Sequence, residues 1–184
     1  QAARDLGFIP EAERLRMANG KSPRDAAQSD QDYPFTEVFK LARQASDFNN
    51  MDTKPFVQAL SHTHPVMRYW GVMGLEIRTD ASEHDTLVKL LGDESPSVRI
   101  AAAEALATYG MPADLLRALD VLVAHADGTK NGFAAVEALQ ALRRLGPKAA
   151  PVKAKLAALP KKTEGVEQRL KEYLPRMLEK ILKD

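Results

Sequence analysis

The sequence predicts an all-α fold, namely a right-handed α-solenoid of antiparallel helix pairs. Residues 57–75 contain LSHTHPVMRYWGVMGL, and residues 88–106 contain LGDESPSVRIAAAEAL 31 residues later. Each segment combines the end of an apolar helix, a polar loop with a proline, an apolar–Arg pair and a second apolar helix. No strand pattern competes. One such pair cannot bury both of its apolar faces, so the repeat indicates a stack that binds rather than catalyses.

The composition excludes several kinds of site. The chain has 184 residues and no cysteine, which rules out disulfides, thiolate metal sites and cysteine nucleophiles. No apolar run approaches the roughly 20 residues that span a bilayer, and no membrane partner is expected. Phosphate-binding Gly-rich loops, Ser–His–Asp patterns and nucleotide fingerprints do not occur in the sequence. We therefore expect no catalytic residue and no cofactor.

The first 32 residues differ in composition from the rest. Residues 11–20 are compatible with a short helix, whereas residues 21–32, KSPRDAAQSDQD, have no apolar period. We expect residues 21–32 to form a linker or a strap on the surface. Residues 1–32 are then an N-terminal extension that follows a missing upstream domain, and residues 33–184 form the repeat domain.

The first helix of the repeat domain is predicted from Pro34 to about Asp47, before the break at Asn49 and Asn50. Its apolar residues are spaced for one buried face. That predicted face consists of Phe35, Val38, Phe39, Leu41 and Ala42.

Four helix pairs are predicted to follow. The first has helices near residues 54–61 and 65–78, and the second helix is apolar almost all round, which places it mid-stack. Gly71 and Gly74 in that helix indicate a close backbone approach to the adjoining repeat. The second pair covers residues 83–91 and 98–109, with Ser95 as N-cap and Pro96 in the first turn. The third covers 115–124 and 131–145, and the last 148–159 and 165–182.

The loop with Pro-x-Val-Arg followed by Ala-Ala-x-x-Leu resembles the HEAT repeat, particularly its short bacterial form. The resemblance covers roughly residues 55–145 and implies a scaffold or interaction module. The matching positions are Pro65, Met67, Arg68 and Leu75 in one unit, and Asp93, Pro96, Val98, Arg99, Ala101, Ala102, Ala105 and Leu106 in the next.

Residues 4–47, with RDLGFIPEAE and DYPFTEVFKLARQASD, resemble the stretch that follows the catalytic domain in some bacterial sulfatases. This resemblance implies a C-terminal, non-catalytic module that packs against an upstream catalytic domain, and an exported or periplasmic parent protein. The sulfatase motif C/S-x-P-S-R is missing, since Ser22, Pro23 and Arg24 lack its spacing. Sulfatase activity is therefore not expected in this chain.

Arg68 and Arg99 occupy equivalent positions at the start of second helices. We predict a structural ladder between repeats, with Arg68 paired to Asp93 and Arg99 paired to Asp127, because a guanidinium suits bidentate pairing with a carboxylate. The alternative is an anion-binding ridge.

His62 and His64 supply at most two ligands on one loop, so no metal site is expected.

Trp70, the only tryptophan, aligns with Ala101 one repeat later and is predicted to lie in the core. The alternative is that Trp70 belongs to a surface that binds damaged DNA, as in HEAT proteins that resemble DNA glycosylases.

Four acidic residues are predicted to form a solvated polar loop without a catalytic role: Glu76, Asp80, Glu83 and Asp85.

The charge is unevenly distributed. Residues 1–142 carry 14 Lys and Arg against 20 Asp and Glu, whereas residues 143–184 carry 12 against 5. This basic end is predicted either to be a solvated face or to bind a protein or a sulfated polyanion such as a sulfated glycan. Aromatic residues for base stacking are scarce there, which disfavours nucleic acid. A stand-alone scaffold is the remaining alternative. The predicted polyanion-binding residues are Arg143, Arg144, Lys148, Lys153, Lys155, Lys161 and Lys162.

Overall fold

The computed structural model describes residues 20–30, 33–160 and 168–183. Within these ranges the chain is helical and contains no strand, which confirms the all-α prediction. The predicted helix at 11–20, the start of the helix at 165–182, and Lys161 and Lys162 lie outside the described residues. In the described ranges no helix is both long and apolar enough to cross a membrane.

The α-helices follow one another with short connections. They are α1 (Pro23–Ala27), α2 (Phe35–Ala45), α3 (Lys54–Ala59), α4 (Pro65–Ile77), α5 (His84–Leu90), α6 (Pro96–Tyr109), α7 (Leu115–His125), α8 (Gly132–Leu145), α9 (Lys153–Ala157) and α10 (Tyr173–Lys183). Short 3-10 segments lie at Pro112–Asp114, Gly146–Val152 and Gln168–Leu170.

The helices form a solenoid of stacked pairs. The first helices α3, α5 and α7 each pack against the second helix that follows, α4, α6 and α8 respectively. The second helices also contact one another in a row, α4 with α6 and α6 with α8. At the two ends, α2 packs on α4 and α10 packs on α8. The row of second helices is therefore the continuous layer of the fold.

The most enclosed helix is α6, one repeat later than the sequence predicts. It contacts α4, α5, α7 and α8, and its residues are buried on nearly every side. In α4, by contrast, Tyr69, Trp70 and Met73 pack against the core with partly exposed side chains. Trp70 meets Tyr69 edge to face, with ring centroids 5.8 Å apart. The prediction that Trp70 lies in the core thus holds for only part of its side chain.

Helix α2 buries a different face from the predicted one. Leu41 and Ala45 are buried, whereas Phe35 and Phe39 are 57% and 62% exposed and stack on each other with centroids 6.4 Å apart. At 100° per residue, Phe39 lies about 200° from Leu41 around the helix. Because α4 is the main neighbour of α2, only one of its two apolar stripes is covered.

Within the predicted linker or strap, residues 21–30 contain the short helix α1. Ser22 caps α1, its hydroxyl oxygen accepting a hydrogen bond from the backbone of Asp25 at 3.1 Å. The carboxylate of Asp30 accepts hydrogen bonds from the backbone and hydroxyl of Thr36 at 3.1 and 2.5 Å, which fastens the segment to the start of α2.

The helix starts agree in part with those predicted from proline and from polar N-cap residues. Pro65 and Pro96 open α4 and α6, where their missing N–H is not needed. Ser95 holds the N-cap position of α6, but its side chain makes no capping hydrogen bond. Asn131 caps α8 instead, accepting from the backbone of Phe133 and Ala134 at 3.1 Å each.

Arg68 joins the first two repeats. Its guanidinium donates to both carboxylate oxygens of Asp93, at 2.7 and 2.9 Å, and to the carbonyls of His62 and Thr63 at 2.8 and 2.9 Å. The side chains of Arg68 and Asp93 are only 10% and 6% exposed. Removing one partner of such a buried pair costs about 3–5 kcal/mol.

The predicted pair of Arg99 with Asp127 is wrong. Arg99 donates from Nε to Nε2 of His125 at 2.9 Å and from its terminal nitrogen to the carbonyls of Asp93 and Glu94. Asp127 instead accepts from the backbone and hydroxyl of Thr129, at 3.0 and 2.6 Å. Burial and the neighbouring guanidinium lower the pKa of His125 to about 4, so its imidazole is neutral and can accept the hydrogen bond.

The two glycines of α4 permit a close approach, but within one helix pair rather than to the adjoining repeat. A Cβ at Gly71 would lie 2.8 Å from the carbonyl oxygen of Phe56 on α3. A Cβ at Gly74 would lie 2.0 Å from Cδ1 of Phe56, whose side chain is fully buried. Neither position tolerates a side chain without moving α3.

We predict that Gly74→Ala destabilises the fold by about 1–3 kcal/mol, because the added methyl overlaps the buried ring of Phe56. Urea denaturation followed by circular dichroism measures the change. Gly92→Ala is the matched control, since its Cβ would meet its nearest neighbour at an ordinary 3.6 Å. Equal stabilities of the two variants would contradict the close packing of α3 on α4.

Candidate functional site

A groove of about 470 Å³ lies across the second helices α4, α6 and α8. Each helix contributes one stripe of side chains about one turn apart. The stripes combine an aromatic and apolar part with polar groups. The lining residues are Tyr69, Met73, Glu76 and Ile77 of α4, Ser97, Ile100, Ala101 and Glu104 of α6, and Glu137, Gln140 and Arg144 of α8.

An ion pair joins α6 to α8 in this groove. Nε and Nη2 of Arg144 donate to the two carboxylate oxygens of Glu104 at 2.5 and 2.6 Å. Glu104 is buried, with 4% of its surface exposed, so it depends on this partner for its charge. The carboxylate in turn raises the pKa of the Arg144 guanidinium. Arg144 is therefore fixed across the groove rather than free for an anionic ligand.

Glu137 lies on α8 and has one hydrogen-bond donor among the described residues. The hydroxyl of buried Ser97 on α6 donates to Oε2 of Glu137 at 2.7 Å. Burial raises the pKa of Glu137 to about 7, and the Ser97 hydrogen bond only partly opposes this. Near neutral pH this carboxyl is therefore close to half ionised.

Glu76 occupies the last turn of α4. Its Oε2 atom is buried and has no hydrogen-bond partner among the described residues. Burial, with the nearby charge of Glu104 as a smaller cause, raises the pKa of Glu76 to about 7, against the opposing effect of Arg144. The prediction that Glu76 belongs to a solvated loop is therefore wrong. It falls on the stripe of Tyr69 and Met73 and is held in the groove.

Tyr69 forms the aromatic wall beside these carboxyls. Burial first, and then the charges of Glu137, Glu104 and Glu76, raise the pKa of its phenol to about 12. Because those charges act on Tyr69 from all three helices, the phenol and the carboxyls share one electrostatic environment.

Two glutamates of this groove carry a sequence signal that the motif analysis missed. Glu104 and Glu137 hold equivalent positions in IAAAEAL and FAAVEAL, each surrounded by alanine and aliphatic residues. A glutamate within a run of apolar residues of a packed helix is expected to be buried or to border a cleft. Glu76 gives no such signal, because only the packing of α4 on α6 encloses it.

The basic residues predicted to bind a polyanion lie on several elements. Arg144 pairs with Glu104, Lys148 donates to the carbonyls of Ala107 and Thr108 at 3.1 and 2.7 Å, and Lys155 pairs with Asp120 at 2.5 Å. Three of them thus serve contacts inside the protein.

Arg143 and Lys153 have no such contact with the described residues. Arg143 is exposed near the end of α8, and Lys153 is half-buried at the start of α9. Of the predicted polyanion-binding residues that the structure describes, these two are therefore not engaged in a contact inside the protein.

His62 and His64, which precede α4, accept hydrogen bonds from nearby backbone N–H groups. Nδ1 of His64 accepts from the backbone of Val66 at 3.3 Å, and Nδ1 of His62 accepts from the backbone of His64 at 2.9 Å. Across the described ranges, no group of three or more His, Cys, Asp or Glu side chains could hold a metal ion.

Residues 53–143 match the family model described as HEAT repeats. The match spans the three helix pairs whose second helices line the groove, and it supports a HEAT-repeat domain at this position. HEAT repeats generally mediate protein interaction or scaffolding, through the extended surfaces that stacked repeats create. No curated protein matches the chain.

We predict that Glu137→Gln stabilises the protein at pH 8 by roughly 1–3 kcal/mol and flattens its pH dependence. The pKa of Glu137 is raised from 4.5 to about 7, so the folded state binds the proton more tightly than the unfolded state. The stability of the wild type therefore falls as pH rises from about 4.5 to about 7. Gln cannot ionise, yet it still accepts the Ser97 hydrogen bond.

Urea denaturation at pH 5, 6, 7 and 8 measures this effect, with Glu37→Gln as the control because Glu37 is exposed on α2. Parallel pH profiles for wild type and Glu137→Gln would show that Glu137 is solvated.

Proposed function

We propose that this chain, with its HEAT-repeat domain over residues 53–143, is a non-catalytic interaction module that binds a segment of a partner protein in the groove. The observation that carries the proposal is the groove itself, a cleft across three consecutive second helices. Its volume of about 470 Å³ is large enough for side chains of a partner.

The walls of the groove suit a protein ligand. Tyr69, Met73 and Ile77 give α4 a partly exposed apolar edge, and Ile77 is 37% exposed. Glu76 and Glu137 supply polar groups deeper in the cleft. Apolar contact surface with a few buried polar anchors is the usual composition of a specific protein interface.

The test places a photocrosslinking amino acid, p-benzoylphenylalanine, at Ile77 in the groove. The matched control places it at Leu116, an equally aliphatic residue that is 60% exposed on the first helix α7. Proteins captured in an extract of the source cells are identified by mass spectrometry and purified. We expect a pure captured protein to crosslink again from position 77 and not from position 116. Capture from neither position, or equally from both, would contradict a role for the groove.

We propose further that the module belongs to a sulfatase-like hydrolase and packs against its catalytic domain, as the resemblance of residues 4–47 implies. The exposed aromatic pair Phe35 and Phe39 supports a covering domain at the N-terminal end, since the terminal helices of a solenoid need a polar or covered outer face. The reading frame upstream of Gln1 is the test. A C/S-x-P-S-R motif there supports this parent, and an unrelated domain contradicts it.

A second candidate is retention of a sulfated polyanion by the basic end, which the charge difference between residues 1–142 and 143–184 favours. Arg143 and Lys153 are the predicted binding residues that the structure leaves without a contact inside the described protein. We expect Arg143→Glu with Lys153→Glu to elute from immobilised heparin at lower salt than the wild type. Lys54→Glu with Lys89→Glu makes the same change in charge elsewhere and serves as the control. Equal shifts in the two double variants would indicate a dependence on total charge alone.

A further inference from the structure

The charged side chains that line the groove do not balance. Glu76, Glu104 and Glu137 face one cation, Arg144. Arg144 engages both oxygens of Glu104, so that pair neutralises itself. Glu76 and Glu137 lie in a partly buried cleft, and no cation of the described residues pairs with either of them.

Each of these two carboxyls also has few hydrogen-bond donors among the described residues. Glu137 has the Ser97 hydroxyl, and Oε2 of Glu76 has no partner among the described residues although it is buried. A buried carboxylate oxygen without a donor has lost the hydrogen bonds that water would give it, which is unfavourable. A ligand that brings donors and positive charge would remove this cost.

Resting on the proposed function, we propose that the groove binds an arginine or lysine side chain of the partner segment, with its cationic head at Glu76, where the buried Oε2 lacks a donor among the described residues, and with Glu137 adding to the negative charge of the groove. The aliphatic stem of such a side chain lies along the groove, against Met73, Ile100 and the ring of Tyr69. This arrangement matches the amphipathic character of Lys and Arg, whose stems cover apolar surface while the head meets a polar group.

Other occupants fit the cleft less well. An anionic group would meet three carboxyls and an arginine that is already paired. An apolar side chain would leave Oε2 of Glu76 buried without a donor. A cationic side chain satisfies the carboxyls and still uses the apolar walls.

The test uses small probes that need no knowledge of the partner. N-acetyl-arginine amide is titrated into the ¹⁵N-labelled full chain, and amide shifts are followed by NMR. N-acetyl-citrulline amide is the matched control, because citrulline has nearly the shape of arginine but carries no charge. We expect the arginine probe to bind at least about tenfold more tightly, with shifts confined to groove residues of α4, α6 and α8.

Two variants then assign the effect to the carboxyls. Glu76→Gln with Glu137→Gln removes both charges and should weaken arginine binding by about tenfold, which corresponds to ~1.4 kcal/mol. Glu37→Gln with Glu172→Gln removes two exposed carboxyls and should leave binding unchanged. Circular dichroism and thermal unfolding establish that each variant is folded before titration.

Three results would overturn the proposal: equal binding of the arginine and citrulline probes, shifts outside the groove, or no shifts up to the solubility limit. Failure here differs from failure of the proposed function. If position 77 crosslinks a partner but arginine does not bind, the groove is an interface without a cation site. If arginine binds but position 77 captures nothing, the cation site stands and the role in protein interaction fails.

Discussion

The rest of the structure depends on the enclosure of α6. This helix contacts four others, and it can do so because its inward positions are small, with Ala101, Ala102, Ala103, Ala105 and Ala107 all buried. Small side chains let α4 and α8 approach α6 from opposite sides. The three second helices therefore lie in one row, and Ala101 forms the floor of the groove between their side chains.

The electrostatics of the groove follow from the same packing. Enclosing α6 buries Glu104, and that carboxylate holds Arg144 across the row. With the nearest guanidinium committed, Glu76 and Glu137 are shielded from water without full compensation, and burial raises both pKa values. A buried carboxyl without a matching cation is costly for a fold, so its presence at the centre of a cleft is a reason to assign the cleft a ligand.

The repeat pattern predicts what is local or repeated, and much less of what depends on neighbours. Pro65 and Pro96 open the second helix in two successive repeats, and Arg68 has a carboxylate one loop further along, so these two helix starts and the contact of Arg68 with Asp93 follow from the sequence. The exposure of Phe35 and Phe39 does not follow, because it depends on how few helices surround α2.

Side-chain contacts between helices are equally hard to predict from a single sequence. Arg99 takes His125 rather than Asp127, whose Oδ1 accepts two hydrogen bonds from Thr129 in its own loop. The groove is the feature of the structure that the sequence analysis predicts least. Two of its glutamates stand out in the alanine-rich helices, but Glu76 and Ser97 join them only through the stacking of three helices.

The most direct measurement of this account is a pH titration of the glutamate side-chain carboxyls by ¹³C NMR. If the stacked second helices hold Glu76 and Glu137 in a shielded groove, both carboxyls titrate with midpoints near pH 7. Midpoints for both near their ordinary value of 4.5 would mean that water reaches them freely, and the groove would not exist as a binding cleft.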